Sequence, residues 1–184
     1  MKKIYAHVLG FILCMLTTTA FSQQIYLRAD NLTDRAGYTE QFKNYVEITS
    51  FQFGVDAPVT TGKSGPSPSK PVFREVIITK YSDISSNKLI EKVALGRPIA
   101  KLEIVSTANI EGENVVVHKV ELTEAYITEI ASSTVSGCTG NCPTIAESYK
   151  FYFKTIKITT YSVDERGSVT ANAPFEYNTL QPGS

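Results

Sequence analysis

The feature that most constrains this chain is a change of face inside its apolar stretches. From Tyr45 to Val55 the apolar positions start on even numbers, Val46 and Ile48, and move to odd numbers at Phe51, Phe53 and Val55. Between Ile145 and Tyr161 it happens again: Phe151 and Phe153 hold one phase, Ile156 and Ile158 the other. Side chains of a strand alternate strictly between two faces, so a change of phase demands a bulge or a bend. The second bend is expected near Lys154-Thr155. Long strands bent midway are what a closed or nearly closed barrel requires.

The remaining segments supply further strands. Ile25 to Asp30 alternates, with Ile25, Leu27 and Ala29 on one face, and a polar, turn-rich stretch containing Gly37 follows to Asn44. Val72 to Tyr81 is β-branched. Ile99 to Thr107 is predicted to turn Ala100, Leu102 and Ile104 inward, and Glu111-Gly112-Glu113-Asn114 reads as a hairpin turn. The long run Val115 to Ile130 places Val116, Val120, Leu122, Tyr126 and Ile130 on one face, and Lys119, Glu121, Thr123 and Glu129 on the other. Ala173 to Leu180 can form a last edge strand. A single helix is expected after Tyr81. Asp83 and Ser85 offer caps, Leu89, Ile90 and Val93 form an apolar stripe, Gly96 suits the left-handed exit and Pro98 stops continuation. The fold class is therefore mainly β, a barrel with one short helix on its flank.

Asp56 to Pro71 departs from this pattern. It holds Pro58, Pro66, Pro68 and Pro71, two glycines and three serines. Such a stretch cannot be a central strand and is too polar to bury. A structureless loop of this length is uncommon in a compact domain. Two readings stay open: a surface insertion, or an extended arm that reaches a neighbouring subunit. In the second, Asp56, Val59, Lys63, Pro66 and Lys70 are the candidate contact residues.

The first 22 residues have the three-part layout of a secretory leader. Lys2-Lys3 give a basic start, Val8 to Leu16 is apolar, and Ala20 and Ser22 occupy the −3 and −1 places of a cut before Gln23. The apolar run is shorter than the roughly 20 residues of a spanning helix, and no later segment is apolar enough. Residues 23–184 then form a single exported domain, secreted or periplasmic. Without the leader lysines, acids outnumber Lys and Arg by two, which argues against a nucleic-acid partner. Cys138 and Cys142, in Gly-Cys-Thr-Gly-Asn-Cys-Pro, are most simply a disulfide in an exported chain; free thiols and a metal site are the alternatives.

Chemistry is harder to find. Of two histidines, His7 lies in the leader and His118 on an apolar strand face, where a half-buried structural role is expected. No Gly-rich phosphate loop follows a strand, and no serine stands in a strand–turn–helix elbow. Glu111 and Glu113 look like a solvated hairpin tip. Asn31-Leu32-Thr33 matches a glycosylation sequon that is common by chance. No catalytic residue, cofactor or metal is expected, and the chain reads as non-enzymatic.

The order of elements resembles the haemolysin-coregulated protein (Hcp) family, the tube subunit of bacterial type VI secretion. The closest correspondence is the block from Phe73 to Ile104. There a strand ends in Thr79-Lys80-Tyr81 with Asp83 after it, a Ser86-Asn-Lys-Leu89 helix closes at Gly96, and another strand follows. The resemblance implies a squat barrel with a flanking helix. It also implies six copies closing edge to edge into a ring, rings stacking into a hollow tube, and an arm at 56–71 that reaches the adjacent ring. Implied partners are further copies of the chain, secretion-machine components and cargo in the lumen.

One departure stands out. Tube subunits of this family usually lack a cleavable leader, and this chain carries one. That favours an exported relative forming rings or filaments outside the cytoplasm over a standard sheath-driven tube. The alternative is a monomeric exported β-domain used for adhesion or ligand binding.

Overall fold

The computed structural model describes residues 23–34, 37, 40–62, 65–134 and 145–180. Residues 1–22, where a leader is expected, Lys63, Cys138, Cys142 and the last four residues lie outside the described residues. The strands are β1 (Gln24–Ala29), β2 (Val46–Ile48), β3 (Ser50–Gln52), β4 (Val55–Asp56), β5 (Val59–Gly62), β6 (Gly65–Pro68), β7 (Val72–Phe73), β8 (Val76–Tyr81), β9 (Ile99–Ile110), β10 (Glu113–Thr134), β11 (Ile145–Tyr152), β12 (Thr155–Val163), β13 (Val169–Ala171) and β14 (Phe175–Asn178). One helix, α1 (Ser86–Ala94), lies between β8 and β9.

The main sheet runs β2-β1-β9-β10-β11-β8-β3, all antiparallel, with β12 also on β10 and β14 on β12. Its two ends are successive pieces of one segment. β2 pairs with β1 and β3 pairs with β8; only Thr49 separates them, and its N–H donates to the Thr79 carbonyl at 2.8 Å. The wall therefore comes back to the segment where it began. The expected change of face between Ile48 and Phe51 is this transfer from one neighbour to another. The stretch from Tyr45 to Val55 is three short strands, not one, because its successive pieces bond to different partners.

The other corners follow the same logic. The expected bend near Lys154 is the break between β11 and β12. β10 meets β9 along its first half and β11 along its second. Where those halves meet, Glu124 adopts a left-handed backbone, φ 47°; one register shift lies within the first half, between Val116 and His118, and another within the second, between Ile127 and Glu129. These irregularities spoil the simple parity expected for this strand. Val120 and Leu122 are buried as predicted, but Tyr126 is exposed. On β9, Ile99 is buried and Ala100 exposed, the reverse of the expectation for Ala100, at the level where Glu124 kinks the neighbouring strand. The β9–β10 turn matches its prediction, with Glu111 and Gly112 both at positive φ, 52° and 91°.

The inward side chains form one core, including Leu27, Ile48, Ile78, Leu102, Ile104, Leu122, Phe151 and Ile156. On the opposite face of the same sheet Tyr26 and Val105 pack with Phe42, whose ring stacks on Tyr26 at 4.3 Å. Phe42 thus fastens the turn-rich segment after β1 onto the outside of the wall.

The helix starts and stops where expected, by partly different means. Ser85 makes no side-chain cap bond to the helix; its hydroxyl and N–H both donate to Asp83 Oδ1, at 2.5 and 2.7 Å. At the other end Gly96 has φ 60°, Gly96 N–H donates to Val93 O and Arg97 N–H to Lys92 O, the paired bonds of a Schellman ending. Of the predicted stripe only Leu89 is fully buried; Ile90 and Val93 are 47% and 37% exposed.

Candidate assembly surfaces

The segment 56–71 is structured. β4 pairs with β7 at its root, and β5 pairs with β6 above it. The expectation of a structureless loop gives way here, since exposed backbone still gains by strand-to-strand pairing. A ladder that includes Pro66 and Pro68 requires both missing N–H groups to face away from β5, and their spacing of two satisfies this. The hairpin stands off the barrel: Val55, Val59 and Val72 are 45%, 61% and 56% exposed.

Its root is braced. Arg74 grips Asp56 with two parallel bonds, Nε to Oδ2 at 2.6 Å and Nη2 to Oδ1 at 2.7 Å, while Arg74 N–H donates to Gly54 O. That hydrogen bonding holds the Asp56 carboxyl below its ordinary range. Phe73 stacks on Tyr177 at 4.3 Å and lies near Phe175 at 6.2 Å, tying the root to β14. The predicted contact residues are thus divided. Asp56 belongs to the root clamp, Val59 and Pro66 lie on the exposed hairpin, and Lys70 follows it on the surface. Arg74 was not anticipated; its only signal was a lone cation bordering the proline-rich stretch.

A second arrangement explains the Thr79-Lys80-Tyr81 block. Lys80 follows Val76 and Ile78 on the inward face of β8 and is fully buried. Its ammonium lies 3.0 Å from Glu147 Oε2 and 3.0 Å from Asp83 Oδ1, and donates to Ser86 Oγ (2.9 Å) and the Tyr81 carbonyl (3.1 Å). Glu147 also accepts from Ser86 Oγ and from the Tyr149 hydroxyl, each at 2.7 Å. Burial pushes the Glu147 carboxyl upward, but bonds from Tyr149, Ser86 and Lys80 outweigh it and hold it below its usual range. Tyr149 is driven the other way by burial and by Glu147. The cluster binds β8, the first turn of α1 and β11 together. Ser86 is itself buried, and its hydroxyl accepts from Lys80 while donating to Glu147.

The outer face of β9, β10 and β12 carries a charged ladder. Glu103 and Glu121 lie directly opposite each other, which alone would repel. Lys119 contacts Glu103 at 3.0 Å and Glu121 at 3.5 Å, Lys101 contacts Glu121 at 2.8 Å, and Lys157 stands 3.9 Å from Glu121. The Tyr45 hydroxyl donates to Glu103. Burial raises and then these cations lower the Glu121 carboxyl, for a net fall.

His118 is half-buried and stacks on Phe51 at 5.8 Å; burial pushes its pKa below the ordinary value. The sequon threonine, Thr33, is buried, with its hydroxyl donating to Asn44 O at 2.7 Å. Among the described residues no group of three or more His, Cys, Asp or Glu could hold a metal, and no helix is long and apolar enough to cross a membrane.

This mainly β fold, its sheet returning to its starting segment with one short helix beside it, sets the class. The chain belongs to the Hcp family: the family model described as "Type VI secretion system effector, Hcp" matches residues 26–160. No curated protein sequence matches it significantly. Among solved structures it is similar to a type six secretion system protein, with TM-score 0.75 and 19% identity over 86% of this chain and 97% of that one. It is similar to Hcp1 from Salmonella typhimurium, with TM-score 0.65 and 18% identity over 86% and 96%. It is also similar to the secreted protein Hcp3 from Pseudomonas aeruginosa, with TM-score 0.57 and 20% identity over 83% and 97%. At these identities the likenesses establish the shared fold.

Proposed function

We propose that the chain is an exported structural subunit that closes into six-membered rings and stacks them through its arm. The carrying observation is the hairpin itself. It is anchored at its root by Arg74–Asp56 and Phe73–Tyr177, yet presents Val55, Val59 and Val72 to solvent. Exposed valines on a braced, projecting ribbon suit contact with a copy in the next ring, while a separate heterologous contact between neighbouring subunits, whose rotation closes, would make the ring itself. Such a subunit works as a wall around a lumen and needs no catalytic group, cofactor or metal. The leader at 1–22 supports rings or filaments assembled outside the cytoplasm, with Cys138–Cys142 as a local staple.

The mass of the leader-free protein in solution tests the ring: a six-subunit species is expected, whereas a stable monomer at high concentration would leave the adhesion or ligand-binding reading in its place. Replacing residues 57–70 by a tight turn separates the two contacts. Single rings should persist in negatively stained images while stacks disappear; unchanged stacking would refute the role given to the arm.

A further inference from the structure

We propose that the exported chain is modified at its new end, with Gln23 cyclised to pyroglutamate. The inference rests on the leader reading above, which places the cut before Gln23. It draws on how differently the structure treats the two successive glutamines. Gln24 is the first ladder residue of β1, paired with Thr107. Its carbonyl accepts from Thr107 Oγ1 at 3.2 Å, and its side-chain Oε1 accepts from the Tyr26 hydroxyl at 2.8 Å and from Asn114 Nδ2 at 3.1 Å. Gln23 precedes the ladder and is exposed. Cleavage would give Gln23 a free α-amine within reach of its own side-chain amide, with no part of the sheet to disturb.

The chemistry is internal and balanced. The α-nitrogen attacks Cδ, the Cδ–Nε2 bond breaks, and the nitrogen leaves as ammonia with the proton given up by the amine, forming a five-membered lactam. No oxidant or other reactant is consumed. The product lacks the α-ammonium, which ordinarily titrates near pH 7.7–8.0. The end of the barrel beside Thr107 and Asn114 then carries no terminal charge at any pH, and the chain is closed to aminopeptidases. The anchored Gln24 leaves β1 paired from its first residue onward.

Intact-mass and N-terminal peptide analysis of the protein recovered outside the cytoplasm of the cells that make it provides the test. The expected result is a chain starting at residue 23, lighter by one ammonia, about 17 Da, with the loss on the first peptide and no amine-reactive label at the α-nitrogen. Gln23→Ala should restore the labelled amine, and Gln24→Ala should not. A chain starting at Gln23 with a free, labelled amine would overturn the modification while leaving the leader intact. A chain that keeps its first 22 residues, or begins elsewhere, would overturn the leader reading and this proposal together.

Discussion

At the scale of single residues the most consequential side chain is Lys80. A buried ammonium is tolerated only when its partners replace water, and here two carboxylates, a hydroxyl and a carbonyl do so. Lys80→Ala would strand Glu147 in the interior and should destabilise the fold by about 3–5 kcal/mol in denaturant titration. The double change Lys80→Met with Glu147→Gln should recover much of that loss, since it removes both charges. The same group sets a pH dependence. The folded-state pKa of Glu147 lies below its ordinary 4.5, so its contribution is complete above that pH and is lost as acid carries the solution through the lowered value. Stability measured from pH 6 downward should therefore fall less steeply in Glu147→Gln than in the wild type. Val76, Ile78 and Lys80 share parity, although the pattern marked this segment only as a β-branched strand. A lysine beside an exposed tyrosine nevertheless reads as solvated, and only the fold brings Glu147 opposite it.

Elements show where local pattern suffices and where it fails. The helix and the β9–β10 hairpin were legible because caps, turn residues and periodicity act within a few residues of each other. Gly96→Ala should cost about 1–2 kcal/mol, since the Schellman ending needs its left-handed backbone. The arm hairpin was not legible. Its prolines hide pairing that depends on which side of the strand lacks a neighbour, and the β4–β7 pairing joins residues separated by the whole segment. The corner of β10 was equally obscure, because a left-handed Glu124 leaves no mark in composition. Arg74→Ala tests the root brace. The barrel's unfolding midpoint should hold, while cleavage between Asp56 and Pro71 by added protease should quicken; an unaltered cleavage rate would show that the clamp does not steady the arm.

For the molecule as a whole, the phase changes near Thr49 and Lys154 carried the architecture, because a strand that swaps partners midway leaves its apolar residues on alternating parity. The proposed assembly is less legible, since exposed valines mark an apolar surface without naming what covers it. Mixing subunits shortened at 57–70 with intact ones probes that contact directly: ring mass should be kept, and mean stack length should drop as the shortened fraction rises.

The Arg74–Asp56 clamp holds the arm in one direction at its root. In the proposed ring, an arm so fixed would give one face that reaches and one that receives. If rings stack through that arm as proposed, the column would have a head and a tail, and a cap matching only one face would stop it at one end alone.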